Sequence, residues 1–315
     1  MENIAYLFPG QGSQALGMGH AAANDSDSAK AILDRADDRL PFSLSELMKN
    51  GPEEQLKETA NAQPALLTAS IASLSLLEGA EIEPSYMAGH SLGEYSALVA
   101  AGALRFDDAV YAVHERGKFM QAAVPTGEGT MAAVIGMERE PLMQITKRVS
   151  ESGHAVQLAN LNAPGQIVIS GTVEGVQVAS AAAKEEGARR VMPLNVSGPF
   201  HSALMEPAKE QLRDVLTAIE FQDARVPVVT NIHAAPVSNG EELRQGLVEQ
   251  LTSPVYWEDT IRFMIREGVD TFVEFGSGQV LSGLVKKIQR RDVNVFSISN
   301  LEEAEQFKQA VKAVR

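Results

Sequence analysis

The chain has 315 residues, 44% of them hydrophobic and none of them cysteine, with a formal net charge of −14. That length supports one large domain or two unequal ones, and the missing thiols exclude disulfides, thiolate metal sites and a cysteine nucleophile. The acidic balance argues against nucleic acid as a partner, so an anionic substrate must meet a local positive site; no apolar run approaches the roughly 20 residues of a membrane span.

The run from Ile4 to Phe8 reads as a short buried strand, far too short for a secretory h-region, so a cytoplasmic protein without a leader is expected. The turn-rich stretch Pro9-Gly10-Gln11-Gly12-Ser13-Gln14 follows, then helical patterns at 29–40, 52–58 and 64–77. Tyr86-Met87-Ala88 reads as a strand end and 93–101 as a helix stopped by Gly102. Between them stands Gly89-His90-Ser91-Leu92-Gly93, a Gly-x-Ser-x-Gly sequence on a strand-to-helix elbow. Such an elbow exposes a serine as nucleophile, and the helix start leaves N–H groups facing whatever it attacks. Another helix begins at Asp107-Asp108 and runs to about 123.

From 127 to 196 the pattern changes to strand 130–136, helix 141–151, strands 155–161 and 166–170, helix 173–186 and strand 189–196. This β-α-β-β-α-β order predicts an inserted ferredoxin-like subdomain at 127–196. After it come helix 203–219, strand 226–230, helices 241–251 and 257–267, strand 271–275, helix 279–290, strand 293–298 and a closing helix 301–314. The larger subdomain, 1–126 with 197–315, is then discontinuous, with a mostly parallel sheet and a cleft facing the insert.

A serine needs a base, and there are six histidines. His90 adjoins Ser91, but strand alternation turns it to the opposite face. His20 and His114 fall in helical segments, and His154 and His233 in polar loops. His201 lies in Ser197-Gly198-Pro199-Phe200-His201-Ser202, where the insert ends, and spacing alone does not decide between it and the other five. The 9–14 loop lacks the Gly-Lys-Ser/Thr ending of a phosphate loop, and Gly276-Ser277-Gly278 lacks the remainder of a dinucleotide fingerprint. No metal-ligand spacing is present, and no cofactor is expected. Lys286, Lys287, Arg290 and Arg291, with Arg189 and Arg190, form the densest basic cluster, either a docking face for an anionic partner or a solvated helix end.

Five ordered motifs, Phe8 to Gln14, Gly89 to Tyr95, Arg116-Gly117, Asn160-x-Asn162-x-Pro164-Gly165-Gln166 and Phe200-His201, together closely resemble the malonyl-CoA:acyl carrier protein transacylases over nearly the whole chain. The resemblance implies an α/β-hydrolase-like large subdomain with a ferredoxin-like insert. It implies that Ser91 takes malonyl from malonyl-CoA as an ester with His201 as base, and that the pantetheine thiol of holo acyl carrier protein then removes it. Leu92 and Gln11 would supply oxyanion-hole N–H groups, the Gln250 carbonyl would orient His201, and Asn160 would steady the cleft. Arg116 would hold the malonyl carboxylate through its planar fork, against the commoner fate of arginine as a solvated helix residue. Phe200 and Leu92 resemble malonyl-selective rather than methylmalonyl-selective members. Serine 277 stands where the family commonly has proline, which loosens the loop without removing a catalytic group. A monomer serving fatty acid synthesis is expected. The rivals are an acyltransferase or acyl hydrolase serving a polyketide synthase, and a carrier-binding scaffold that has lost catalysis.

Overall fold

The computed structural model describes residues 3–313. Its strands are β1 (Ile4–Phe8), β2 (Tyr86–Gly89), β3 (Gly129–Ile135), β4 (Val156–Ala163), β5 (Gln166–Thr172), β6 (Arg190–Pro193), β7 (Val228–Val229), β8 (Pro236–Val237), β9 (Thr271–Phe275) and β10 (Asn294–Ile298). Among the described residues they form a six-stranded sheet, β10-β9-β1-β2-β7-β8, and a four-stranded one, β4-β5-β3-β6. The larger is parallel except for its edge strand β8.

β1 is buried along its whole length because it is central and helices cover both faces of the sheet. Its residues alternate, Ile4, Tyr6 and Phe8 into one core and Ala5 and Leu7 into the other. With β2 on one side and β9 on the other, chain order reverses at β1, which opens a crevice at the carboxyl ends of the strands. The register Phe8↔Gly89 sets the loop after Phe8 beside the turn after Gly89. Two loops far apart in sequence thereby become one site.

The small sheet is antiparallel. The helices Arg139–Glu151 and Val173–Glu185 cover one face through Leu142, Ile145, Val176 and Ala179. From its other face Met131, Ala133, Ala159 and Val168 enter the large core. The outer edge of β4 is tied to the 255 segment, since Leu161 N–H donates to Val255 O at 2.9 Å and Val255 N–H to Ala159 O at 2.8 Å.

Several expectations shift. The helix expected from Pro64 begins at Thr59 and runs to Ser75, with proline inside it. Proline has no N–H for the Ala60 carbonyl one turn earlier, and His114 Nδ1 bonds that carbonyl instead, at 2.8 Å. Gly117 lies so close that a Cβ there would come 2.5 Å from Ala60 Cα. Two further helices, His20–Asp25 and Leu44–Asn50, were not expected. The first follows Gly19 at φ 78 with no side-chain cap, whereas the second is capped by Ser43, which accepts from Glu46 N, a capping-box spacing visible in sequence.

The strand expected at 189–196 is only Arg190–Pro193, and that at 226–230 only Val228–Val229. The stretch 203–219 starts as the 3₁₀ turn Ala203–Met205 before the helix Glu206–Thr217. The helix expected to 290 ends at Ile288. The closing helix is Leu301–Lys312, and its expected end at 314 lies outside the described residues. No described helix is long and apolar enough to cross a membrane.

Candidate active site

Ser91 sits between β2 and the helix Gly93–Ala100 with φ 52, a left-handed conformation that a serine holds only under constraint. The constraint is local packing. A Cβ on Gly89 would fall 1.8 Å from Gly93 O, and one on Gly93 2.0 Å from Phe8 O. A clamp adds to it: Ser91 N–H donates to Asn231 Oδ1 at 2.8 Å, and Asn231 Nδ2 donates to Gly89 O at 2.7 Å.

His201 is buried, also left-handed at φ 55, with Nε2 2.8 Å from Ser91 Oγ and Nδ1 3.0 Å from Gln250 O. A carbonyl can only accept, so the proton sits on Nδ1 and bare Nε2 receives the Ser91 hydroxyl. Burial first and the Arg116 charge second pull the His201 pKa down to about 3, against the Gln250 hydrogen bond. The imidazole is therefore neutral, the form a base requires.

Arg116, on the helix Phe106–Ala122, is 1% exposed, unlike a solvated surface arginine. Its Nη1 donates to Gln63 Oε1 at 2.7 Å, and its Nη2 to Gln250 Oε1 at 2.9 Å and Ser91 Oγ at 3.1 Å. Its Nε–H is buried with no acceptor among the described residues. Desolvation lowers its pKa, opposed by Tyr95 and Glu94. Ser91 Oγ thus meets an imidazole nitrogen on one side and a guanidinium on the other.

Gln250 is fully buried and serves several groups. Besides its carbonyl on His201, its Nε2 lies 3.1 Å from Ser91 O, Glu94 Oε2 and Asn231 Oδ1. Glu94 also accepts from Asn231 N–H at 3.0 Å, and burial pushes its pKa up to about 7.

The loop after β1 approaches the elbow closely, since a Cβ on Gly10 would come 2.3 Å from His90 O, while Gly12 takes φ 105. Among the described residues neither Gln11 N–H nor Leu92 N–H takes an acceptor. The Gln11 side chain donates to Thr59 Oγ1 at 3.1 Å, which pairs with Ser197 Oγ at 3.0 Å. The Gln11 side chain thereby ties the loop to Thr59 and, through it, to Ser197.

A cleft of about 480 Å³ opens over these groups, lined among others by Gln11, Ser91, Asn160, Phe200 and His201. His90 corrects an expectation: rather than turning away, it lines the same cleft, with Nε2 2.7 Å from Asn162 Oδ1 and its ring beside Trp257. Strand alternation ends at Gly89, and the left-handed Ser91 redirects the chain. His20 and His114 bond backbone carbonyls, and His154 lies against Glu174; none of these three lines the cleft.

The basic residues lie outside the cleft lining. Lys287 Nζ donates to Gln166 Oε1 at 2.8 Å, and Arg189 packs at Gly136, whose N–H donates to Gly165 O at 2.8 Å. Lys287 and Arg189, one from each part of the cluster, thus both lie at that turn. Arg290 and Arg291 follow the end of their helix, so only Lys286 and Lys287 can complement its dipole. Among the described residues no group of three or more His, Asp or Glu is disposed to hold a metal ion.

Sequence reasoning did not single out Asn231, Glu94, Gln63 or Asn162 as site residues. Glu94 had a signal, the lone charge in the largely apolar helix directly after Ser91. Asn231 and Gln63 had none, being isolated polar residues that only the fold brings in.

The acyl transferase domain family matches residues 5–309. The chain is 54% identical over 312 residues to the malonyl CoA-acyl carrier protein transacylase of Bacillus subtilis (strain 168), covering 99% of this chain and 98% of that one. Its fold superposes on the malonyl CoA-acyl carrier protein transacylase of Coxiella burnetii with a TM-score of 0.95 at 39% identity, covering 98% and 97% of the two chains. It is also similar, with a TM-score of 0.94 at 42% identity and 98% and 100% coverage, to a malonyl-transacylase solved in complex with its type II PKS acyl-carrier protein.

Proposed function

The chain belongs to the acyl transferase domain family, and within it to the malonyl CoA-acyl carrier protein transacylases, and from that premise we propose that it carries malonyl from malonyl-CoA to the phosphopantetheine thiol of acyl carrier protein through an ester on Ser91. The observation that carries the reading is the convergence on one oxygen: His201 Nε2 at 2.8 Å and Arg116 Nη2 at 3.1 Å from Ser91 Oγ.

Ser91 gives its proton to His201 Nε2 as Oγ bonds to the thioester carbonyl carbon. The oxyanion is received by the N–H groups of Leu92 and Gln11. Collapse breaks the C–S bond, and the imidazolium protonates the departing CoA thiolate. The malonyl carboxylate lies against Arg116. Once Oγ is an ester oxygen, Nη2–H is released to join the unpaired Nε–H, and the two form a fork that matches a carboxylate. The carrier thiol then gives its proton to His201 and attacks the ester, and collapse returns Ser91. Phe200 and Asn160 shape the cleft where the acyl group turns. No cofactor enters this scheme.

We assign 1–126 with 197–315 to the catalytic subdomain and 127–196 to the ferredoxin-like insert, acting as a cytoplasmic monomer that supplies fatty acid synthesis. A carrier of a polyketide synthase is the second reading, favoured by the likeness to the malonyl-transacylase held by a type II PKS carrier.

The exposed residues Lys286, Lys287, Arg290, Arg291, Arg189 and Arg190 form the docking face for the acidic carrier. The test is steady-state transfer with both substrates varied. Parallel-line kinetics are expected, with Lys287→Glu raising KM for the carrier about tenfold while leaving the burst of CoA release intact. Release of free malonate at the same rate with or without carrier would favour a hydrolase, and an unchanged carrier KM would remove the docking role.

A further inference from the structure

Among the described residues, Glu94 is the carboxylate that bonds the groups holding the nucleophile and base. It lies one helical turn beyond Ser91 and is 1% exposed. It touches neither Ser91 Oγ nor the imidazole, but it holds the two residues that do the holding. Its Oε2 accepts from Asn231 N–H at 3.0 Å, and Asn231 Oδ1 takes the Ser91 N–H. The same oxygen lies 3.1 Å from Gln250 Nε2, and Gln250 presents its carbonyl to His201 Nδ1 and its Oε1 to Arg116.

Gln250 Nε2 faces three oxygens with two protons. An amide turned the other way would set Oε1 against all three and its NH₂ against the guanidinium, so this orientation is the only one the charges accept. Arg116 is the positive charge nearest Glu94, and the Tyr95 hydroxyl, whose pKa burial raises, lies within the field of both. His201 faces Glu94 only through Gln250.

We propose that Glu94 is a positioning residue for the acyl transfer: its ionised carboxylate fixes Asn231 and Gln250 and supplies, one residue removed, the negative charge that a Ser-His-Asp triad places directly on the histidine. The proposal rests on Ser91 and His201 acting as nucleophile and base. It accounts for a His201 held by a neutral carbonyl, because Glu94 is the counter-charge to buried Arg116 beside the base before an acyl carboxylate arrives. Desolvation keeps the Glu94 pKa near 7, so the carboxylate should be lost as pH falls through neutrality, while His201 stays neutral down to about 3.

The experiment reads the rate at which a fluorophosphonate labels Ser91 in the full chain between pH 5 and 9, which requires nucleophile and base but no particular acyl group. In the wild type labelling should step down about tenfold as pH falls through about 7 and then level off, as the Glu94 carboxylate takes up its proton. Glu94→Gln keeps an acceptor for Asn231 N–H and Gln250 Nε2, so it should melt within a few degrees of wild type. It should nevertheless label about tenfold more slowly at pH 8 and lose the step near pH 7. A Glu94→Gln rate within twofold of wild type, with the step intact, would overturn the proposal. So would a wild-type rate that stays level from pH 8 to 5, whether or not the variant folds. Normal labelling with no malonyl transfer would instead reject the transferase reading and leave Glu94 in its role.

Discussion

Replacing His201 by alanine should lower malonyl transfer about 10³- to 10⁴-fold, the contribution of a positioned base that also serves as acid. The loss should fall on both half-reactions, because in the proposed scheme the same Nε2 takes the proton of Ser91 and later that of the carrier thiol. Its Nδ1 is committed to Gln250 O at 3.0 Å, and none of the other described histidines bonds Ser91, so no neighbour can substitute. A pre-steady-state measurement separates the half-reactions: the burst of CoA release should slow as much as discharge. Loss confined to discharge would mean that another group activates Ser91.

Arg116→Ala should lower kcat/KM for malonyl-CoA about a hundredfold or more, from two charge-assisted hydrogen bonds of about 1.5–3 kcal/mol each. Acetyl-CoA lacks the carboxylate and should lose far less. It should still lose something, because Arg116 Nη2 also donates to Ser91 Oγ at 3.1 Å, where it would stabilise negative charge developing on that oxygen. Arg116→Lys keeps a charge but not the fork, so it should restore acetyl transfer more fully than malonyl transfer. Competition between the two thioesters measures this directly, and equal losses on both would remove Arg116 from selection.

Much of this site could be read from the chain because its central parts are local. The elbow is five consecutive residues with a strand before and a helix after, and the two glycines carry their steric reason with them. The apolar run of β1 and the β-α-β-β-α-β order between 129 and 193 are likewise signals carried by the chain itself. What escaped was relational. A backbone carbonyl such as that of Gln250 leaves no mark in sequence, since every residue has one, and its role came from resemblance alone. Asn231 reaches Ser91 across 140 positions through its seat after β7. His90 was misjudged because a strand rule was carried one residue past the strand's end, into a turn that left-handed Ser91 bends. Pro64 misled in the same manner: proline usually opens a helix, and here a histidine from another helix bonds the carbonyl it leaves free.

Intact-protein mass spectrometry after mixing with malonyl-CoA tests the central claim most directly. One malonyl group should be added, on the peptide carrying Ser91 and absent from Ser91→Ala. It should persist in buffer and disappear on addition of holo acyl carrier protein as the carrier gains the same mass. An adduct that water removes as fast as the carrier does, or none on Ser91 while the carrier is still malonylated, would contradict transfer through a serine ester.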